Sequence, residues 1–259
     1  MPPPGWAGTH APSLWESLRQ STPHESFAKS GVAFARLIMR PVLARRREFW
    51  LPTIWGWLVL LLMGAATIVF VARNLHSFLA INEPVGARVL VIEGWLRQPQ
   101  LDEAAAVFRS GRYERILTTG GPIHYWPDSH GPATFAERAA DYLKRRLPDA
   151  SITAVPAPDL MRNRTFLTAV VVREWAKRSG LNFEALDVFS AGAHARRSRI
   201  LYRSAFGPKI KVGVFAVKSP DYDADAWWRT SHGAEEVVQQ AIALLWVQCC
   251  FWPPSPDSP

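Results

Sequence analysis

The chain has 259 residues, 48% of them hydrophobic, with 30 Lys and Arg against 22 Asp and Glu for a formal net charge of +8. That apolar share excludes a chain disordered throughout, and the length admits one domain with a full core beside a membrane segment. Residues 1–72 hold seven basic and three acidic residues and the remainder twenty-three and nineteen, so the larger part is only mildly basic, which suits an anionic small ligand or a membrane surface and argues against nucleic acid.

Residues 1–48 read as a basic cytoplasmic tail. The stretch 1–25 is rich in Pro, Ser and Gly and is expected to be unstructured. Residues 26–40 place Phe27, Phe34, Leu37 and Ile38 among Lys29, Arg36 and Arg40, the pattern of a basic amphipathic helix on anionic lipid or of a solvated tail. From Phe49 to Ala72 no residue is charged, so residues 49–73 are predicted to form a transmembrane helix. Trp50, Trp55 and Trp57 cluster at its first end, where aromatic rings favour the membrane interface. Arg40, Arg45, Arg46 and Arg47 precede the run, and only Arg73 and then Arg88 follow it. The positive-inside rule then puts the N-terminus in the cytoplasm and the following domain outside, as a single-pass protein of the cytoplasmic membrane. The run is too long and starts too late for a cleaved signal peptide.

Residues 75–252 alternate short apolar runs with helical patterns. This predicts an α/β domain of Rossmann-like, doubly wound, mainly parallel type. The predicted strands are Arg88–Ile92, Arg115–Thr118, Ser151–Val155, Leu186–Phe189 and Lys211–Val217. The predicted helices start near Leu101, Pro132, Thr165, His194 and Ala234; the first ends near Gly111, and the last is read as a core helix running to Phe251. Thr165 is read as an N-cap and Glu137 as a solvated residue. Residues 253–259 read as a disordered tail. The only cysteines, Cys249 and Cys250, are adjacent and are expected to be free thiols in a packed helix.

In open α/β sheets, ligands bind beyond the carboxyl ends of the strands, so those ends supply the candidates. Glu93-Gly94-Trp95 closes the first strand, and Glu93 suits a general base or a partner for a ligand hydroxyl. Thr118-Thr119-Gly120-Gly121 closes the second, with hydroxyls and close-approach glycines for a phosphate or carboxylate. His194 and Arg197 lie one turn apart at a helix start, where backbone amides favour an anion and Arg197 can add a bidentate contact. Arg164 and Thr165 open another helix and add a further anion contact. Catalysis falls to Glu93 and His194; ligand binding to Gly94, Thr119, Gly120, Gly121, Arg164, Thr165, His194 and Arg197.

Metal readings are weaker. Asp221, Asp223 and Asp225 have the spacing of a calcium loop, but Ala226 and His232 occupy the positions that need Gly and Glu. His124, Asp128 and His130 share one polar loop, read as solvated. There is no Gly-x-Ser-x-Gly elbow, Walker loop or dinucleotide fingerprint, so no cofactor is assigned, and a nucleotide-derived one at the same strand ends is the least favoured option.

Taken in order, these segments resemble the YdcF/SanA/ElyC family of bacterial envelope proteins over about Ala87 to Trp246. Thr119-Gly120-Gly121 matches the family's Ser-Gly-Gly, and His194-Ala195-Arg196-Arg197-Ser198 its His-x-x-Arg-Ala. Thr165 and Ala169 match the Thr and Ala of its Ser-x-Asn-Thr-x-Glu-Asn-Ala segment. Arg164, Leu167 and Thr168 replace its Asn, Glu and Asn, and Glu93-Gly94-Trp95 replaces a glycine-rich turn, the marks of a divergent member. The resemblance implies a Rossmann-like fold and a role in envelope biogenesis around the cell wall, and leaves the reaction open.

Two functions follow. One is an enzyme or binding domain for an anionic small molecule or lipid-linked intermediate, with membrane lipid around the anchor. The other is a non-enzymatic interaction module, suggested by Trp126, Trp227 and Trp228, whose protein partner the sequence does not name.

Overall fold

A computed structural model describes residues 51–110, 113–123, 133–159, 162–253 of the chain. Apart from Leu51 these belong to one compact unit, Pro52–Pro259. The tail of residues 1–48 with its amphipathic stretch, the basic flank and Trp50, Gly111, the loop with His124, Trp126, Asp128 and His130, Pro132, and residues 254–259 lie outside the described residues.

The first element, α1 (Ile54–Leu79), starts at Thr53, whose side chain accepts from the Gly56 amide. It is the one described helix long and apolar enough to cross a membrane, with a mean hydropathy of 2.3 over a window in which no residue is buried. Its 26 residues rise about 39 Å, more than the roughly 30 Å of a hydrocarbon layer. The helix therefore outlasts the apolar run, which ends at Ala72. Its last two turns stay helical because Ala72, Leu75 and Leu79 pack on the α/β domain.

Five parallel strands follow: β1 (Val89–Glu93), β2 (Arg115–Gly120), β3 (Ser151–Pro156), β4 (Ala185–Ala191) and β5 (Lys211–Val217). Their order is β3-β2-β1-β4-β5, with every pairing parallel. The chain thus winds outward in one direction from β1 to β3, then returns to the other side of β1. Between β1 and β4 lies the switch point, the crevice where such sheets take ligands.

Strand alternation sorts the side chains onto two faces. Leu90, Ile92 and Ile116 pack against Leu101, Ala104 and Ala105 of α2 (Gln98–Arg109) and Ala139 and Leu143 of α3 (Phe135–Arg146). Val89, Val91, Leu117, Leu186 and Val188 pack against Phe166, Ala169 and Val172 of α4 (Arg164–Arg178) and Leu201, Tyr202 and Ala205 of α5 (Ala195–Phe206). A third cluster joins the end of α1 to Ala193, Tyr222, Trp227 and the buried Val237 and Leu244 of α6 (Ser231–Cys249).

The expected elements of the α/β domain are all present, with local differences at helix starts. Helix α2 begins at Gln98 because Pro99 fits its first turn and the Gln100 side chain accepts from the Arg97 amide at 3.0 Å. Helix α3 begins at Phe135, after Thr134. Thr134 and Glu137 form a reciprocal capping box, so Glu137 is a capping residue and not a solvated one. The N-cap of α4 is Asn163 in the left-handed region (φ 52°), which puts Thr165 inside the first turn. Asn is among the few residues that tolerate that backbone. A single 3-10 turn, Gly192–His194, precedes α5. In α6 Val237, Leu244 and Val247 are buried, but Val238, Ile242, Leu245 and Trp246 are exposed, so it is a core helix on one face only. Cys249 and Cys250 are free and exposed, not packed as expected.

Candidate functional site

The buried row of side chains beneath α4 and α5 turns from apolar to polar at its last position on each of three strands. Val89 and Val91 lead to Glu93, Leu117 leads to Thr119, and Leu186 and Val188 lead to Ser190. Alternation makes these three polar groups neighbours on one face, and register makes them level: Glu93 pairs with Thr119, and Ser190 lies one step past the Ile92–Phe189 pair. All three are buried.

Glu93 is held from β4 and α5. Its Oε2 accepts from the Ser190 hydroxyl at 2.7 Å, and its Oε1 accepts from the Ser198 hydroxyl at 2.7 Å. His194 Nε2 lies 3.7 Å from the same Oε1. On the other side of the ring, Nδ1 is 2.9 Å from Arg197 Nη2 and 3.1 Å from Gln240 Oε1 of α6. Nδ1 thus faces both a donor, the guanidinium, and an acceptor, the Gln240 oxygen, while Nε2 faces Glu93. Gln240 Oε1 accepts from Arg197 Nε at 3.1 Å, which ties α6 to the site. Trp95 stands edge-on against His194, ring centroids 5.4 Å apart, and shields it from solvent.

Burial pushes the His194 pKa down and outweighs the attraction of Glu93, with Arg197 lowering it further. The ring is therefore neutral near pH 7. Burial and then the charge of Arg164 also depress Arg197, against the pull of Glu93. Two guanidinium groups close enough to oppose one another are relieved by an anion between them. Tyr202 moves the other way: burial and the charge of Glu93 hold its phenol well above its ordinary pKa, as a hydrogen-bond donor.

These groups line a cavity of about 790 Å³. Glu93, Thr119, Gly120, Gly121, Arg164, Thr165, His194 and Arg197 all reach it. Two buried atoms in its wall, Thr119 Oγ1 and Tyr202 Oη, have no hydrogen-bond partner among the described residues. Desolvated hydroxyls without partners are costly, and a ligand offering acceptors would satisfy both. The start of α4 also faces the cavity through Arg164, Thr165 and Thr168, and the Asn163 side chain does not cap its amides. Asp159 is the second carboxyl group of the lining and is itself engaged by a partner.

Four expected roles change. Gly94 does not line the cavity; a Cβ there would sit 2.4 Å from the Phe135 carbonyl oxygen, so the glycine serves the approach of α3 to β1. Gly120 lines the cavity, yet its missing Cβ makes room for the Phe135 side chain, 2.7 Å away. Thr118 belongs to the opposite row and donates its hydroxyl to the Ala136 carbonyl at 2.8 Å, away from the cavity. Trp227 is not a surface residue either: it is buried, and its Nε1 donates to the Ala72 carbonyl of α1 at 2.8 Å. The calcium-like spacing is accounted for locally. Asp221 pairs with Arg97, and Asp223 accepts from the Asp225 amide.

Sequence reasoning missed Ser190, Ser198, Tyr202 and Gln240. A signal for three of them was present. His194, Ser198 and Tyr202 recur every four residues on one face of a helix, and Ser190 keeps the alternating phase of Leu186 and Val188. Gln240 lies 43 residues beyond Arg197 and carries no such signal. No family model matches the chain, and no curated protein does.

Proposed function

We propose that this protein is a membrane-anchored, extracytoplasmic Rossmann-like domain that binds or acts on a phosphorylated, anionic intermediate of the cell envelope, as a divergent member of the YdcF/SanA/ElyC family. The observation that carries this reading is the pair of buried, unpartnered hydroxyls, Thr119 Oγ1 and Tyr202 Oη, in a cavity that also holds Arg164 and Arg197. Donors and positive charge converge where the sheet leaves an open crevice. The first turn of α4, which the Asn163 side chain does not cap, adds amides to the same wall.

In this reading Arg197 and Arg164 balance the charge of the ligand, and Thr119 and Tyr202 donate to its oxygens. Glu93 and neutral His194 form the acid–base pair, with His194 Nε2 facing the carboxyl group. The two serines and Gln240 hold that pair in place. The apolar run of α1 is the single membrane span, with the N-terminus in the cytoplasm. The ligand is a free phosphate ester or the head of a lipid-linked one.

The test is a thermal-stability titration of the full chain in detergent micelles with inorganic phosphate and glycerol phosphate, beside Arg197→Ala. A ligand at a hundred times its dissociation constant adds about 2.7 kcal/mol to stability. Wild type is expected to shift and Arg197→Ala is not. Equal behaviour of both proteins overturns the reading and favours the interaction module.

A further inference from the structure

We infer that the exposed apolar face of α6 seats on the surface of the bilayer that α1 enters, so that the mouth of the cavity is held against the headgroup layer; this rests on α1 being the membrane span. The chain path fixes the side. After α1, Glu83 forms an antiparallel bridge with Val214 of β5, and the Val85 and Ala87 amides reach Asp187 near the start of β4. The connection thus descends along β5 toward the amino ends of the strands, having come from their carboxyl ends. There His76 of α1 stands beside Gly192, at the end of β4. The apolar length of α1 therefore projects from the edge of the sheet at which the cavity opens.

The height follows from the helix. Ala72 is the last residue before Arg73, and its carbonyl takes the Trp227 indole N–H. Trp228, next to it, is exposed, so an indole pair stands at the end of the apolar run, where tryptophans concentrate at membrane interfaces. His76 is one turn further, about 6 Å along the axis, beside Gly192, which opens the turn that ends at His194. The rim of the cavity is then within a headgroup layer's thickness of the hydrocarbon.

Helix α6 supplies the contact. Ala234, Val237, Ala241 and Leu244 share the cluster that holds Ala72, Leu75 and Leu79 of α1. Val238, Ile242, Leu245 and Trp246 recur at helical spacing on its exposed side. Val238, Ile242 and Trp246, with Ala234, Ala243, Glu235 and Gln239, line a shallow, largely apolar groove, and Gln239 also lines the cavity. Direct packing of α6 on α1 makes its bare apolar face continuous with a helix surface whose natural surroundings are lipid. A bilayer therefore covers this face, rather than a second copy or another protein.

The experiment uses the full chain with Cys249→Ser and Cys250→Ser, reconstituted in phosphatidylethanolamine–phosphatidylglycerol liposomes. Single nitroxides are placed at Ile242→Cys, at Leu61→Cys in α1, and at Lys209→Cys in the turn before β5. Collision rates with oxygen and with a water-soluble nickel chelate report depth. The inference expects the Ile242 label to meet nickel severalfold less often than the Lys209 label, and oxygen more often. An Ile242 label as open to nickel as Lys209, with Leu61 deep in lipid, overturns the seating and leaves the anchor standing. A Leu61 label open to nickel overturns the anchor and the seating together. Shielding of Ile242 that persists in detergent with dipolar broadening between labels assigns the face to a second copy and overturns the inference.

Discussion

Two acidic side chains are buried on neighbouring central strands, and their surroundings differ in every respect that separates structure from function. Asp187, near the start of β4, is fully buried and accepts from the Val85 and Ala87 amides and the Tyr113 hydroxyl. Two of those donors are backbone, and a Cβ at Gly213 would sit 1.9 Å from Asp187 Oδ1. The group is a clamp between the α1–β1 connection and the sheet. Glu93, at the end of β1, is 4% exposed and is held by two rotatable hydroxyls beside a neutral histidine and an arginine. It borders a cavity with two unsatisfied donors. A polar network satisfied internally specifies a fold; one left incomplete beside a cavity is prepared for a ligand.

The largest effect that sharpens this contrast is expected from Asp187→Ala. Three donors lose their acceptor at once, so stability falls by about 3–5 kcal/mol in denaturation experiments, while the remaining folded protein binds phosphate as before. Gly94→Ala comes next. Its Cβ meets a backbone oxygen that cannot move freely, which costs about 1–3 kcal/mol. Gly121→Ala, with its nearest neighbour at 3.5 Å, is neutral for folding in the same assay.

His194 sets a smaller, pH-dependent effect. Its pKa is lower in the folded state than in the unfolded chain, so the unfolded chain binds the proton first as pH falls. Stability contributed by the neutral ring is complete above about pH 6.5. It declines below that value until the folded-state pKa is reached, by at most about 1.4 kcal/mol per pH unit. His194→Gln flattens this limb in a series of melts from neutral to acid pH. Glu93→Gln changes folding by under about 1 kcal/mol, because one serine hydroxyl keeps an amide oxygen and the other rotates to accept from the amide nitrogen. With a negative charge removed beside the anion, titration calorimetry finds phosphate bound more tightly, and any turnover of a phosphate ester is lost.

Much of the fold was legible because its signals are local. The continuous apolar run of β1 and the helical spacing of Phe135, Ala139, Tyr142 and Leu143 each belong to a short window. The uncharged run before Arg73 marked α1, but not its two further turns, since those are held by contacts with Tyr222, Trp227 and Val237 far along the chain. The strand ends named Glu93, Thr119, Arg164, His194 and Arg197 as neighbours. Gly94 and Thr118 were misassigned for one reason: a polar or small residue at a strand end can point to either face, and the phase of alternation decides. The role of Asp187 was not legible, since nothing local pairs it with amides a hundred residues earlier.

The most direct test of the central claim is Tyr202→Phe, melted with and without inorganic phosphate in detergent micelles. The free protein buries a phenol without a partner, so removing it leaves the melting temperature of the free protein unchanged or higher, and the phosphate-induced shift shrinks. A fall in the free protein's melting temperature, as when a buried hydrogen bond of about 1 kcal/mol is lost, together with an undiminished phosphate shift, would contradict the account.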